Sequence, residues 1–242
     1  MNIKSFVTAI VLLSICVGAN AQASKSKTRT RKAQTSIRRS SAKSVSSTRQ
    51  NKSTNLSCPD NRHPHAIDLG LPSGTKWACC NVGASKPEGY GGYYTWGETS
   101  TKRSYTEGNY LNGNGKYFYV GKNIAGTDYD AAPANWSSSW VMPSLEQMKE
   151  LKVKCKCVWT TKNGVNGQKF TGPNGASIFL PAAGIRRNED LDYAGSEGFY
   201  WSSTLNESHT NCAWYLYFYS WVVDTAYDGR FDGRSVRPVR KN

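Results

Sequence analysis

The apolar and polar positions divide this chain into three stretches. Residues 6–17 form an almost unbroken apolar run, residues 22–56 show no apolar period at all, and patterned segments begin only after residue 57. Within the patterned part, residues 75–82 follow a Pro-Ser-Gly turn and mix small with bulky apolar side chains, which predicts a strand. Residues 83–140 are dense in Gly, Asn, Tyr and Ser without a helical period, and read as a long aromatic-rich loop region with short strands. A helix is expected to start at Ser144, with Gln147 three positions on completing a capping box and Leu145, Met148 and Leu151 forming one apolar face. Residues 158–161, 168–171 and 177–181 then read as strands joined by Asn-Gly and Pro-Asn-Gly turns.

The alternation is sharpest over residues 214–223. At the strand period of two, Leu216, Phe218, Ser220 and Val222 share one face, and Tyr215, Tyr217, Tyr219 and Trp221 share the other. The first face suits a core. The second is a ladder of amphipathic rings, the residue type that gives binding surfaces rigid contact area at low entropic cost. The same rings could instead cover another part of the domain or stack across strands.

Charge adds a partition. The chain carries a net +14, but residues 22–56 hold ten Lys or Arg and no Asp or Glu, and residues 57–242 hold 20 basic and 17 acidic side chains. The excess therefore belongs to residues 22–56, whose Ser, Thr, Gln and Asn content cannot bury a core and predicts a disordered basic spacer. Contact with an anionic envelope surface is its expected use, and nucleic acid is not expected as a partner. Ahead of it, a positive start at residues 1–4, the apolar run and the small residues Ala19 and Ala21 read as a signal peptide cleaved after Ala21. The run of about a dozen residues is short of the roughly 20 that span a bilayer, so the mature chain is expected to have no transmembrane helix. Leu13, Ser14, Ile15 and Cys16 resemble a lipobox, with Ile15 where a small residue is expected. The expected organisation is thus a signal peptide at 1–21, a spacer at 22–56 and one domain at 57–242, exported to the periplasm, outer surface or medium.

Six cysteines fall in that domain, and fifteen disulfide connectivities stay open. Cys79-Cys80 and Cys155-x-Cys157 lack the spacing of a zinc site, so structural bridges or buried thiols are expected and no metal or other cofactor. Looser metal sets are Cys58 with His63 and His65, and the acidic pairs Asp128/Asp130 and Asp190/Asp192 for calcium. No local signature sets a histidine beside a nucleophile, so the chain is not read as an enzyme.

Several separated motifs, in order, carry a family resemblance: HAIDLGLPSGTKWA at 65–78, NVGA at 81–84, YTWGET at 94–99, MPS at 142–144, IFLPAAG at 178–184, YWSST at 200–204 and SVRPV at 235–239. Together they resemble the Fibrobacter succinogenes major paralogous domain, abundant in Bacteroidetes, with Val141 standing where that family more often has Arg. The resemblance implies an α+β, C-type-lectin-like domain of mostly short antiparallel strands and long loops with one or two helices. It also implies kinship with formylglycine-generating enzymes and with retroelement-diversified proteins, whose variable residues lie in the same C-terminal part of the fold. No single activity follows, because function resides in sites grafted on folds. The candidate ligand-binding set is Tyr215, Tyr217, Tyr219 and Trp221, with Asp224, Tyr227, Asp228, Arg230 and Asp232 as a polar rim. The expected role is an envelope-displayed or secreted module binding a glycan or protein, or else a structural component of the cell surface.

Overall fold

A computed structural model describes residues 65–111 and 118–240. The signal peptide and spacer lie outside those residues, as do Cys58 and His63. The first strands are β1 (Ala66–Asp68) and β2 (Lys76–Ala78); a short helix α1 (Ala131–Asn135) and strand β3 (Trp140–Val141) follow the loop-rich region. Helix α2 (Leu145–Lys154) leads into β4 (Lys156–Lys162), β5 (Val165–Thr171) and β6 (Ser177–Pro181). Then come β7 (Ile185–Arg187), β8 (Asp190–Asp192), β9 (Gly198–Leu205), β10 (Cys212–Tyr219), β11 (Val222–Gly229) and β12 (Val239–Arg240).

These strands form four small antiparallel sheets, ordered β1-β2-β12-β3, β11-β10-β9, β4-β5-β6 and β7-β8. The architecture corrects the expectation of an α+β, C-type-lectin-like domain: the described residues are mostly β, and their only two α-helices are one of ten residues and one of five. The physical reason is local. Apart from α2, no segment carries a sustained 3.6-residue apolar period, whereas hairpin chemistry recurs from residue 156 onward.

Helix α2 begins as its sequence requires. The Ser144 hydroxyl accepts from the Gln147 N–H at 3.2 Å, and the Gln147 side chain accepts from the Ser144 N–H at 2.9 Å, satisfying two of the helix's free donors. Leu145, Met148 and Leu151 are buried beneath it. The β4–β5 turn places Asn163 and Gly164 at φ 48° and 81°, the doubly left-handed geometry that suits the right-handed twist of a hairpin.

In the β9-β10-β11 sheet the face parity follows the alternation: Leu216 and Phe218 are fully buried, and Tyr215, Tyr217 and Tyr219 are partly exposed. The continuous strand expected over residues 214–223 is, however, broken. Ser220 and Trp221 form a two-residue turn, with Tyr219 facing Val222 across it. The Phe218 ring stacks on Tyr200 at 5.7 Å and meets Phe170 edge-on at 6.3 Å. It lies directly over Gly198, its cross-strand partner, where an added Cβ would come within 2.2 Å of the ring. Only glycine fits there.

The last buried stretch joins the sheets. From Gly229 to Val239 every residue except Phe231 is buried. Its backbone bonds Tyr94 through Arg234, Phe199 and Trp201 through Ser235, Val82 through Val236 and Ala78 through Pro238. Among the described residues no helix is long and apolar enough to cross a membrane.

Two outcomes follow from this packing. Phe218→Ala should cost about 3 to 5 kcal/mol in denaturant unfolding, because it opens a cavity, while Tyr217→Ala one position away should cost far less; similar losses would mean that both faces are core. Burial also raises the phenol pKa of Tyr93, Tyr110 and Tyr200, and that of Tyr94 to about 12. Unfolded phenols titrate near 10, so the folded state keeps protons that the unfolded state releases. Stability should be complete below about pH 10 and fall as pH rises beyond it, and phenolate absorbance for these tyrosines should appear only together with unfolding. Ionisation of every phenol near pH 10 with the fold intact would contradict their burial.

Candidate functional site

Six rings form a continuous row across the outer face of the β9-β10-β11 sheet. Tyr193 and Phe199 stand 6.3 Å apart, Phe199 and Tyr215 6.1 Å, Tyr215 and Tyr217 6.1 Å, Tyr217 and Tyr219 6.3 Å, and Tyr219 and Trp221 4.9 Å. The spacing from Tyr215 to Tyr219 comes from residues two apart on one strand, whose side chains share a face. Exposure rises toward the hairpin tip: Phe199 is buried, the three tyrosines are partly exposed, and Trp221 at the turn is 78% exposed. At the opposite end Tyr193 is 48% exposed. The part of the row open to solvent is its hairpin end, Tyr217, Tyr219 and Trp221, together with Tyr193, while its inner end packs on the buried Trp201.

The inner end of the row is held by a cation. Arg234, fully buried, lies 3.8 Å from the centre of the Tyr215 ring and 4.3 Å from that of Trp201. One of its terminal nitrogens donates to Asp228 at 2.7 Å and to Asp232 at 3.2 Å, and Arg187 reaches the same two carboxylates at 3.7 and 3.4 Å. Its Nε and other terminal nitrogen have no hydrogen-bond partner, and the two aromatic faces are what compensate the cation there. Burial drives the Tyr215 phenol up, with Arg234 opposing, and burial likewise raises the Asp232 carboxyl against the pull of both arginines.

Asp224 lies across from Tyr217 in the β10–β11 pairing and binds Lys152 of α2 at 2.6 Å. Burial pushes its carboxyl up, but the Lys152 hydrogen bond and the Thr225 N–H outweigh that and hold it below the usual carboxylate range. The flanking charges thus neutralise one another, and the exposed part of the row presents rings and phenol hydroxyls.

The structure therefore divides the candidate set. Tyr215, Tyr217, Tyr219, Trp221, Asp224 and Asp228 belong to one face. Tyr227 belongs to the opposite face, where it meets Trp214 edge-on at 5.2 Å and stacks on His209 at 5.2 Å. Arg230 and Asp232 are not rim residues: they are 1% and 4% exposed. Arg230 is an internal strut, donating to the Tyr110 hydroxyl and to the carbonyls of Thr210 and Phe118 while lying over the Trp96 and Tyr110 rings. Tyr193, Phe199 and Arg187 complete the site without belonging to the expected set, and Arg234 joins them from within the domain. For Tyr193 and Phe199 no local signal exists, since they reach the row from another segment; the alternation of 198–201 into the buried Trp201 is the nearest hint.

Among the described residues no group of three or more His, Cys, Asp or Glu is arranged to hold a metal ion. The Asp130 carboxylate, one of the calcium candidates, is occupied by the backbone N–H groups of Gly126, Ala132 and Met142. His65 places its Nδ1 3.4 Å from the Cys79 sulfur.

A family model described as a domain of unknown function, DUF8237, matches residues 139–239, a span that includes α2 and the whole aromatic row. No curated protein and no solved structure matches the chain.

Proposed function

We propose that this chain is an exported binding module that holds a glycan or protein partner along the aromatic row from Tyr193 to Trp221. The observation that supports the reading is the row itself, rings 4.9 to 6.3 Å apart beside a strand whose alternate residues Leu216 and Phe218 are buried. Rings fixed by a strand lose little entropy on binding, and their phenols can donate to and accept from a partner's polar groups. The charge pairs beside them favour a partner without strong net charge. Residues 22–56, with ten cations, would place the module against an anionic envelope surface. The signal-peptide pattern at 1–21 supports export.

The edge of the sheet supports side-on binding through rings over strand addition. β11 is an outer strand, and the N–H groups of Thr225 and Gly229 are already taken by the carboxylates of Asp224 and Asp228 at 2.7 and 2.8 Å. Charged residues so placed are a common guard against edge pairing.

The test is a screen of the full chain against glycan and surface-protein arrays, followed by affinity measurements on the captured partner. Tyr217→Ala and Trp221→Ala should each cost about 2 kcal/mol in affinity, the hot-spot scale, with melting temperature nearly unchanged. Retained affinity in both variants would sink the reading. A stable self-associated species that Trp221→Ala dissociates would show a structural, assembly role in its place.

A further inference from the structure

Lysine and cysteine alternate where α2 passes into β4. The backbone is extended there, with Cys155 at φ −99° and ψ 147°, so Cys155, Cys157 and Trp159 share one face and Lys154 and Lys156 point away from it. The two lysines are exposed, whereas both cysteines and Trp159 line a groove of about 400 Å³ together with Trp221 and Val223 of the β10–β11 hairpin. Cys155 is 8% exposed and Cys157 is partly exposed, so the pair is approached from the groove through Cys157.

The spacing suits a bridge longer than a disulfide. Two residues of extended chain advance about 6.6 Å, against the roughly 4 Å between Cβ atoms that a disulfide needs. Two metal–sulfur bonds of about 2.3 Å, the zinc–thiolate length, set end to end reach about 4.6 Å from sulfur to sulfur, which the side chains meet by leaning toward each other. No third ligand joins them: among the described residues no group of three or more His, Cys, Asp or Glu is arranged for a metal ion, and the other ionisable side chain in the lining, Lys152, is bound to Asp224 at 2.6 Å. Tetrahedral zinc and oxygen-seeking calcium or magnesium are poorly served by such a set, while a soft ion that accepts two sulfurs in line is satisfied by it. The ring faces of Trp159 and Trp221 also favour a cation that has shed its water.

The thiols hold protons at neutral pH. Burial, with Cys157 and Glu150 adding to it, raises Cys155 to about 11, and burial raises Cys157 too, which makes the pair a poor nucleophile for thiol exchange. The Cys157 sulfur lies 3.6 Å from the Cys155 carbonyl oxygen and 4.0 Å from that of Lys152, at the negative end of α2, where positive charge is favoured.

We propose that Cys155 and Cys157 form a two-sulfur site for a soft monovalent cation of the copper(I) class. Binding replaces the two S–H protons, which pass to solvent, by two metal–sulfur bonds, and the ion keeps its oxidation state. The single negative charge that results is offset by the flanking Lys154 and Lys156. Trp221 borders both this site and the aromatic row, and neither needs the other to be filled.

The test is competition for copper(I) between the full chain, kept reduced and free of oxygen, and a chromophoric copper(I) chelator. The double variant Cys155→Ser, Cys157→Ser should hold one equivalent of copper(I) fewer than the native chain, and excess zinc(II) should not displace that equivalent from the native chain. Cys157→Ser alone, at a partly exposed position, should lose the same equivalent with an unchanged circular dichroism spectrum. Copper(I) should also quench a component of the tryptophan emission that Trp159→Phe removes. Equal copper(I) stoichiometry in the native chain and the cysteine variants would overturn the site, as would displacement by zinc(II) or a Cys155–Cys157 disulfide found by peptide mass in the isolated chain.

Discussion

The fold depends on three arginines buried in one short stretch of chain. Arg230, Arg234 and Arg237 are each at most 1% exposed, and an unpaired buried cation would cost more than a domain of this size can offset. Each is compensated differently. Arg237 donates to the Asn81 side chain and to the carbonyls of Ala78, Cys79 and Phe179, at 2.8 to 3.1 Å, so one guanidinium ties the β1-β2-β12-β3 sheet to the β4-β5-β6 sheet. Arg230 ties the end of β11 to the loop-rich region through Tyr110 and Phe118. Arg234 lies between Trp201 and Tyr215 and gathers Asp228 and Asp232. Small separate sheets have little core of their own; the closing segment that carries these side chains is what makes them one packed unit.

The aromatic row inherits its rigidity from that arrangement. Arg234 fixes Tyr215 from beneath, and Phe218 fixes the opposite face of the same strand against Tyr200 and Phe170. Tyr217 and Tyr219 then project from a backbone held on both sides, and Trp221 extends the row at a turn of only two residues. Exposure increases away from the arginine anchor, so the rings nearest the tip are those available to a partner. The carboxylates along β11 serve twice: Asp224 and Asp228 occupy edge N–H groups and also pair with Lys152 and Arg234.

Much of this could be read from the residues, because it was decided locally. Ser144 and Gln147 announce the helix start, Asn163-Gly164 announces a hairpin, and the period of two separates Phe218 from Tyr217. What could not be read was decided at a distance. The turn at Ser220-Trp221 uses none of the Gly, Asn or Pro chemistry that marks a turn, so the strand looked continuous. Arg230 and Asp232 looked like a polar rim because a charge in sequence gives no sign of the carbonyls and rings that will enclose it. The lectin-like expectation rested on separated motifs, several of which fall in the buried framework: Trp77, Trp201 and Arg237 are internal.

The proposed binding requires that the hairpin end of the row stays open to solvent while Leu216 and Phe218, on the other face of the same strand, are buried. Hydroxyl-radical footprinting of the full chain, read residue by residue by mass spectrometry, tests it most directly. Trp221, Tyr219 and Tyr217 should oxidise readily, with Trp201, Tyr200 and Phe218 protected until the chain unfolds. Protection of Trp221 and Tyr217 together with rapid oxidation of Tyr200 and Phe218 would contradict the account, because the proposed binding surface would then be the core.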